Sequence, residues 1–448
     1  MSRTWKRGLA AVLLLLAAVY MYAMSGYAQE PRLIEWKQLS EVAKSPDERG
    51  DALRALMQGF LEDGRFLGAS LIVRQNGEVV FQNKWGRADF DRSRRMSYED
   101  VFRIYSMTKP ITAVAVLILS ERGLLSIDDP VRQYLPSFAD MRVITDERFV
   151  ASPETPLEEP MGGEETFLAA LADGSLVTDP ATSDLTIRDL LTHSSGLGEG
   201  LTASYSKKLV PGLGGTLSEV AESWGNTYLA FEPGTGTGYS PSAGFDVLAR
   251  IVEIVSGEPF ETFIQREILD PLEMRDTTFH PTQEQREKLV SIVCGGENGL
   301  EDFTPEWESN PDEYQAREGY VSGSGGLFST LEDYEHFAEM LCNNGTWRDR
   351  VILQPETVSW MRTEADRNGL NVESPESWGL GVRIRQNPDA LPYYTVAGTY
   401  GWSGLAGTHF FVCPERNLDC VLMLNRVDIG GSESPVSLAV ETAVLKAY

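Results

Sequence analysis

Apolar positions along this chain recur with two periods, and the places where the period changes outline its elements. Residues from about Arg49 to Asp63 read as a helix. Two alternating segments follow, Ala69 to Arg74 and Val79 to Trp85, joined across Asn76-Gly77, the pair that favours a tight hairpin. Phe102 to Tyr105 then leads like a short strand into Ile111, Val114, Leu117 and Ile118, whose spacing predicts a helix ended by Gly123. Pro110 is tolerated only in a first turn, so that helix starts near Ser106. After a turn at Asp128-Asp129-Pro130, the stretch from about Asp140 to Asp184 shows little periodicity and reads as an acidic, loop-rich surface insertion. Helical spacing dominates from Ile187 to Met340. Strands return at Gly379 to Arg385, Tyr394 to Ala397, Thr408 to Val412 and Cys420 to Asn425, before a last helix from about Val436 to Lys446. Strands at both ends and helices between them predict an α/β (α+β) chain, with a sheet built from both termini and interrupted by a mainly helical insertion.

Composition adds a compartment and removes some partners. Arg3, Lys6 and Arg7 precede an apolar run from Leu9 to about Met24, with small residues at Gly26 and Ala28; this is the layout of a signal peptide spanning residues 1–28. The expected address is periplasmic or secreted, the alternative being an N-terminal membrane anchor. No other segment is apolar enough to span a bilayer. The formal charge is −27, and −30 once those three basic residues are removed, which disfavours nucleic acid and anionic membranes as partners. Cys413 and Cys420 flank a predicted hairpin in which facing side chains can approach disulfide range, leaving a bridge open. The four histidines, at 193, 280, 336 and 409, have no ligand spacing with the cysteines, so neither metal nor cofactor is expected.

The candidate chemistry sits at the mouth of the Ile111 to Leu119 helix. Ser106 and Lys109, three apart, share a helical face, so the amine can reach the hydroxyl. A serine is a weak nucleophile until a neighbour takes its proton. The helix start also aims free N–H groups at an anion forming there. No G-x-S-x-G elbow accompanies a histidine, which leaves Ser106 without a Ser-His-Asp arrangement in the sequence.

Phe102-Arg103-Ile104 before Ser106 to Lys109, Asp128 to Val131 with Tyr134-Leu135-Pro136, Thr186 to Leu197, Phe231 to Gly234 running on to Tyr239-Ser240, and Gly325 to Thr330 with Asp333 and Phe337 follow one another in an order that resembles the serine β-lactamase-like superfamily. That group includes class C β-lactamases, D-Ala-D-Ala carboxypeptidases and family VIII carboxylesterases. The resemblance implies an antiparallel sheet flanked by helices over residues 29–448, with a sheet lobe of about 45–137 plus 320–448 and a helical lobe of about 138–319. It names Tyr239 as a second proton-transfer residue; beside a lysine a phenol can act as base toward the serine and acid toward the leaving group. It makes Trp402-Ser403-Gly404 the counterpart of the Lys-Thr-Gly motif and hence substrate-binding, with the backbone N–H groups of Ser106 and Leu405 as the oxyanion hole. It makes His193 a structural loop residue, while His409 close to the third motif receives no role.

Two departures narrow the expectation. The Asn that often stands two residues after the tyrosine is Pro241 here, which lacks an amide to orient a substrate amide. Trp402 replaces the basic residue that meets a substrate carboxylate in penicillin-recognising members. The expected activity is therefore that of a carboxylesterase working through an acyl-enzyme on Ser106, its partner a small acyl ester or amide. A β-lactamase or D-Ala-D-Ala carboxypeptidase is the alternative, and a catalytically inactive penicillin- or peptidoglycan-binding module the alternative of another class.

Overall fold

The structure, a computed structural model, describes residues 46–91, 94–149, 163–198, 215–296, 299–305, 320–363, 370, 374–431 and 434–448. The expected signal segment, residues 1–28, lies outside them. Among the described residues no helix is long and apolar enough to cross a membrane.

Helix α1 (Pro46–Glu62) leads into the hairpin of β1 (Gly68–Gln75) and β2 (Glu78–Gly86). Asn76 and Gly77 both take positive φ, 55° and 79°, as a turn matched to strand twist requires. Strands β3 (Glu376–Trp378), β4 (Arg383–Arg385), β5 (Tyr400–Ser403), β6 (His409–Cys413) and β7 (Leu418–Leu424) complete one antiparallel sheet in the order β3-β4-β5-β6-β7-β1-β2. The two chain ends thus meet at the β7–β1 pair. On one face α1 and α5 (Pro435–Ala447) cover Leu71, Val73, Phe411 and Leu422. On the other, Ile72, Trp402, Phe410 and Val421 join a larger core around α2 (Thr108–Glu121), α3 (Ala243–Ser256) and α4 (Leu331–Cys342). Helix α2 is buried from Thr108 to Leu119, so it needs no polar face, and it packs along α3.

Several sequence expectations shift. The helix after Ser106 begins at Thr108, and Ser106 sits in a 3₁₀ turn, Tyr105–Met107, just ahead of it. The strand leading in is two residues long, Phe102–Arg103, paired with Phe328–Ser329. The single strand expected at Gly379 to Arg385 is the tail of a hairpin, because Gly381 turns the chain at φ +78° between β3 and β4. Tyr394 to Ala397 is not a strand; the sheet takes up the next residues, Tyr400–Ser403, instead. The acidic insertion also carries more order than its periodicity suggests. Strands Arg142–Ile144 and Thr178–Pro180 pair there, helix Gly163–Asp173 follows the first, and Ile144, Phe149, Phe167 and Ala170 form a small core of their own. Cys413 and Cys420 are both free: the β6–β7 register sets Cys413 opposite Leu418 and Cys420 opposite Phe411.

Candidate active site

Ser106 follows a strained residue. Tyr105 takes φ +45°, an uncommon value for a large aromatic that is tolerated where surrounding packing over-determines the backbone. Ile104 is tied to Leu327 O through its N–H, and Tyr334 OH donates to Met107 O at 2.8 Å, so the strained turn is fixed on both sides. From the first turn of α2, Lys109 Nζ donates to Ser106 Oγ at 3.2 Å, to Pro241 O at 2.7 Å and to Ser324 O at 2.9 Å. Three donors meet three neutral oxygens in a side chain that is 1% exposed.

Tyr239 comes from the loop before α3, and its hydroxyl lies 2.7 Å from Ser106 Oγ. Its ring packs among His193 at 4.9 Å, Trp402 at 5.2 Å and Trp378 at 6.1 Å, the last nearly parallel to it. Lys109 Nζ is 5.1 Å from the centre of the same ring. His193 accepts from Ser240 N through Nδ1 at 3.1 Å. Burial, with the Lys109 charge adding to it, pushes His193 well below its ordinary value, so it is a neutral packing imidazole beneath Tyr239.

The Trp402 side chain is buried on the core face of β5 against Trp378 at 4.7 Å and Tyr239. Strand alternation turns Ser403 to the opposite face, where its hydroxyl pairs with His409 rather than facing Ser106. Gly404 has no room for a Cβ, which would overlap Ile104 O and Thr408 Oγ1, so the turn after β5 presses onto the residues just before Ser106. The Leu405 N–H at that turn meets no acceptor among the described residues.

Sequence reasoning thus brought Ser106, Lys109, Tyr239 and Trp402 to one place, and Gly404 and Leu405 to its rim. It missed that the carbonyls of Pro241 and Ser324 hold Lys109, because a backbone carbonyl leaves no mark in residue type. It also missed Trp378, whose strand lies far along the chain, and Asp246. Asp246 accepts from Tyr320 OH at 2.8 Å, Ser322 Oγ at 2.8 Å and Ser324 N at 3.1 Å, fixing the segment whose carbonyl holds Lys109. Burial pushes its carboxyl up despite those donors. A lone acid between Phe245 and Val247 in an apolar helix was the available signal. Among the described residues no cluster of His, Cys, Asp or Glu could hold a metal ion.

The sequence profile of the Beta-lactamase family matches residues 53–439. The chain belongs to that family. It is a serine hydrolase of the β-lactamase family. Esterase EstB of Burkholderia gladioli is 29% identical over 413 residues, spanning 88% of this chain and 94% of its own. A putative D-alanyl-D-alanine carboxypeptidase of Escherichia coli is 26% identical over 391 residues, covering 81% of this chain and 79% of its own. Among solved structures, EstCE1, a hydrolase with promiscuous acyltransferase activity, superposes with a TM-score of 0.70 at 22% identity over 90% of this chain and 100% of its own. Simvastatin synthase (LovD) from Aspergillus terreus gives 0.69 at 19% identity over 91% and 99%. Both share the fold.

Proposed function

We propose that this hydrolase is an exported carboxylesterase that works through an acyl-enzyme on Ser106. The observation that carries the reading is the convergence of Lys109 Nζ and Tyr239 OH on Ser106 Oγ, at 3.2 and 2.7 Å. In the reactive form the Tyr239–Lys109 pair holds one proton fewer and takes the serine's as Oγ bonds to the ester carbonyl carbon. The carbonyl oxygen becomes an oxyanion between the N–H groups of Ser106 and Leu405. Collapse breaks the bond to the alcohol oxygen, which leaves with the proton from the pair. Water repeats the sequence on the acyl-enzyme, giving its proton to the pair and releasing the acid as Ser106 is reprotonated.

Two features favour an ester over a β-lactam or peptide. Trp378 and Trp402 form an aromatic wall where a cation would greet a substrate carboxylate. Pro241 gives its carbonyl to Lys109 and has no side-chain amide to offer a substrate. The likeness to Esterase EstB points the same way. Turnover of a short p-nitrophenyl ester beside a chromogenic cephalosporin tests the choice: fast ester and slow cephalosporin hydrolysis is expected, and the reverse would hand the site to the β-lactamase or carboxypeptidase reading. Absence of fluorophosphonate labelling on folded protein would favour an inactive binding module. Export rests on the residue 1–28 pattern, and a mature N-terminus at Gln29 by mass spectrometry is its check.

A further inference from the structure

Behind the aromatic wall, on the other face of β5, lies a serine–histidine–carboxylate row. Ser403 Oγ and His409 Nδ1 are 2.7 Å apart across the mouth of the β5–β6 hairpin. His409 Nε2 faces the Glu441 carboxylate of α5 at 3.8 Å, beyond direct hydrogen-bond reach. The order of groups is that of a hydrolase triad, yet the three side chains are only 1–3% exposed and the adjoining void is about 10 Å³. That is room for about one water and none for an acyl group. The row is therefore no second active site.

What it governs is the turn it brackets. Ser403 ends β5, His409 begins β6, and residues 404–408 between them carry the Leu405 N–H. The far side of this turn is clamped: Arg426 N donates to Ala406 O at 2.8 Å, Gly431 N donates to Gly404 O at 3.0 Å, and a Cβ on Gly430 would overlap Leu405 O. Its near side rests on Ile104 through Gly404. Glu441 is itself immobilised by Arg385, at 3.2 and 2.9 Å, and by Thr395 Oγ1 at 2.6 Å. A fixed carboxylate beside Nε2 favours the tautomer with its proton there, which leaves Nδ1 to accept from the Ser403 hydroxyl.

We propose that His409 is a positioning residue for the oxyanion site: through Ser403 it fixes the opening of the β5–β6 hairpin, and with it the place of the Leu405 N–H relative to Ser106. This rests on the acyl-enzyme reading above. An N–H displaced by a fraction of an ångström still binds substrate but meets the tetrahedral oxyanion badly, so the loss falls on the chemical step.

The test is steady-state kinetics on a p-nitrophenyl ester, with inhibition by a boronic acid that forms a tetrahedral adduct on the serine. Ser403→Ala and His409→Phe are expected to lower kcat about tenfold with KM nearly unchanged, less than the roughly 100- to 1000-fold cost of deleting an oxyanion donor. Boronate affinity should fall by the same factor. His409→Asn, which keeps an acceptor near the Nδ1 position, should recover most of both. If His409→Phe does not fold, Ser403→Ala decides by itself, since it removes one oxygen. Wild-type kcat and boronate affinity in Ser403→Ala would overturn the inference, as would a lower kcat with unaltered boronate affinity. A wild-type protein that neither turns over the ester nor binds the boronate would sink the acyl-enzyme reading as well.

Discussion

Two buried cations stand on opposite sides of the sheet and are held in opposite ways. Lys109 is surrounded by neutral oxygens, a hydroxyl and two backbone carbonyls, and among the described residues it has no carboxylate partner. Arg385, also buried, is gripped by the carboxylates of Glu441 and Glu376. The difference fits the role proposed for Lys109 and a bracing role for Arg385. A guanidinium between carboxylates has its field cancelled and does not give up its proton, so it can brace α5 against β4 and do nothing else. An ammonium held by carbonyl dipoles is oriented without being neutralised, which leaves both its field and a transferable proton for Ser106 and Tyr239. Burial is shared; the counter-ion separates chemistry from scaffold.

The largest expected effect comes from Ser106 Oγ, the atom that Lys109 Nζ and Tyr239 OH both address. Ser106→Ala should remove acylation altogether, seen as loss of fluorophosphonate labelling, while the melting temperature stays near that of wild type. A covalent adduct on the variant would show that the nucleophile is elsewhere.

Replacing each cation with methionine should give crossed outcomes. Arg385→Met strands the Glu441 carboxylate in the interior, and breaking a buried pair in this way costs about 3–5 kcal/mol of stability by urea unfolding. Lys109→Met strands only carbonyls and should cost less stability, but lower kcat at least ~100-fold, with Tyr239→Phe similar and the double variant scarcely worse. If Lys109→Met proved as destabilising as Arg385→Met, neutral and anionic partners would not be doing different jobs.

Acid sharpens the same contrast. Burial opposes ionisation of Glu441, but the Arg385 guanidinium outweighs it and holds the carboxyl well below its usual value near 4.5. A depressed acid contributes stability that is present above about pH 4.5 and lost as pH falls. The stability gap between wild type and Glu441→Gln should therefore shrink on acidification, by about 1.4 kcal/mol per pH unit once below that value. A gap independent of pH would mean that Glu441 is not held ionised by its partners.

How much of this was legible in the sequence depended on how local the physics was. The β1–β2 hairpin was readable because Asn76 and Gly77 are adjacent and supply the two positive φ angles themselves. Ser106 and Lys109 were readable because three residues of helix fix their distance. By contrast, Tyr400–Ser403 is a strand because β4 and β6 flank it, whereas Tyr394 to Ala397, with equally good strand formers, has no such partners. Nothing local separates the two. The Arg385–Glu441 pair spans 56 residues, and the Lys109–Ser324 bond spans 215 and ends on a backbone carbonyl. Partners of that kind become visible only once the fold brings them together.

Trp402 offers the finest test, since it faces the Lys109 side of the sheet while its neighbour Ser403 faces the Arg385 side. Trp402→Lys would place a second cation beside the site, again without a carboxylate partner. Such a charge can be met by an anionic acyl group in the substrate, and a charge-assisted hydrogen bond is worth roughly 1.5–3 kcal/mol. Neutral esters lose apolar contact with the indole at the same time. On an ester pair differing only in one carboxylate, the kcat/KM ratio should therefore move about ten- to a hundredfold toward the anion. The shift should shrink with added salt to the extent that the new ammonium is reached by solvent. An unchanged ratio in folded variant would mean that the aromatic wall does not border the acyl group, and that the core face of β5 serves packing as much as the opposite face does.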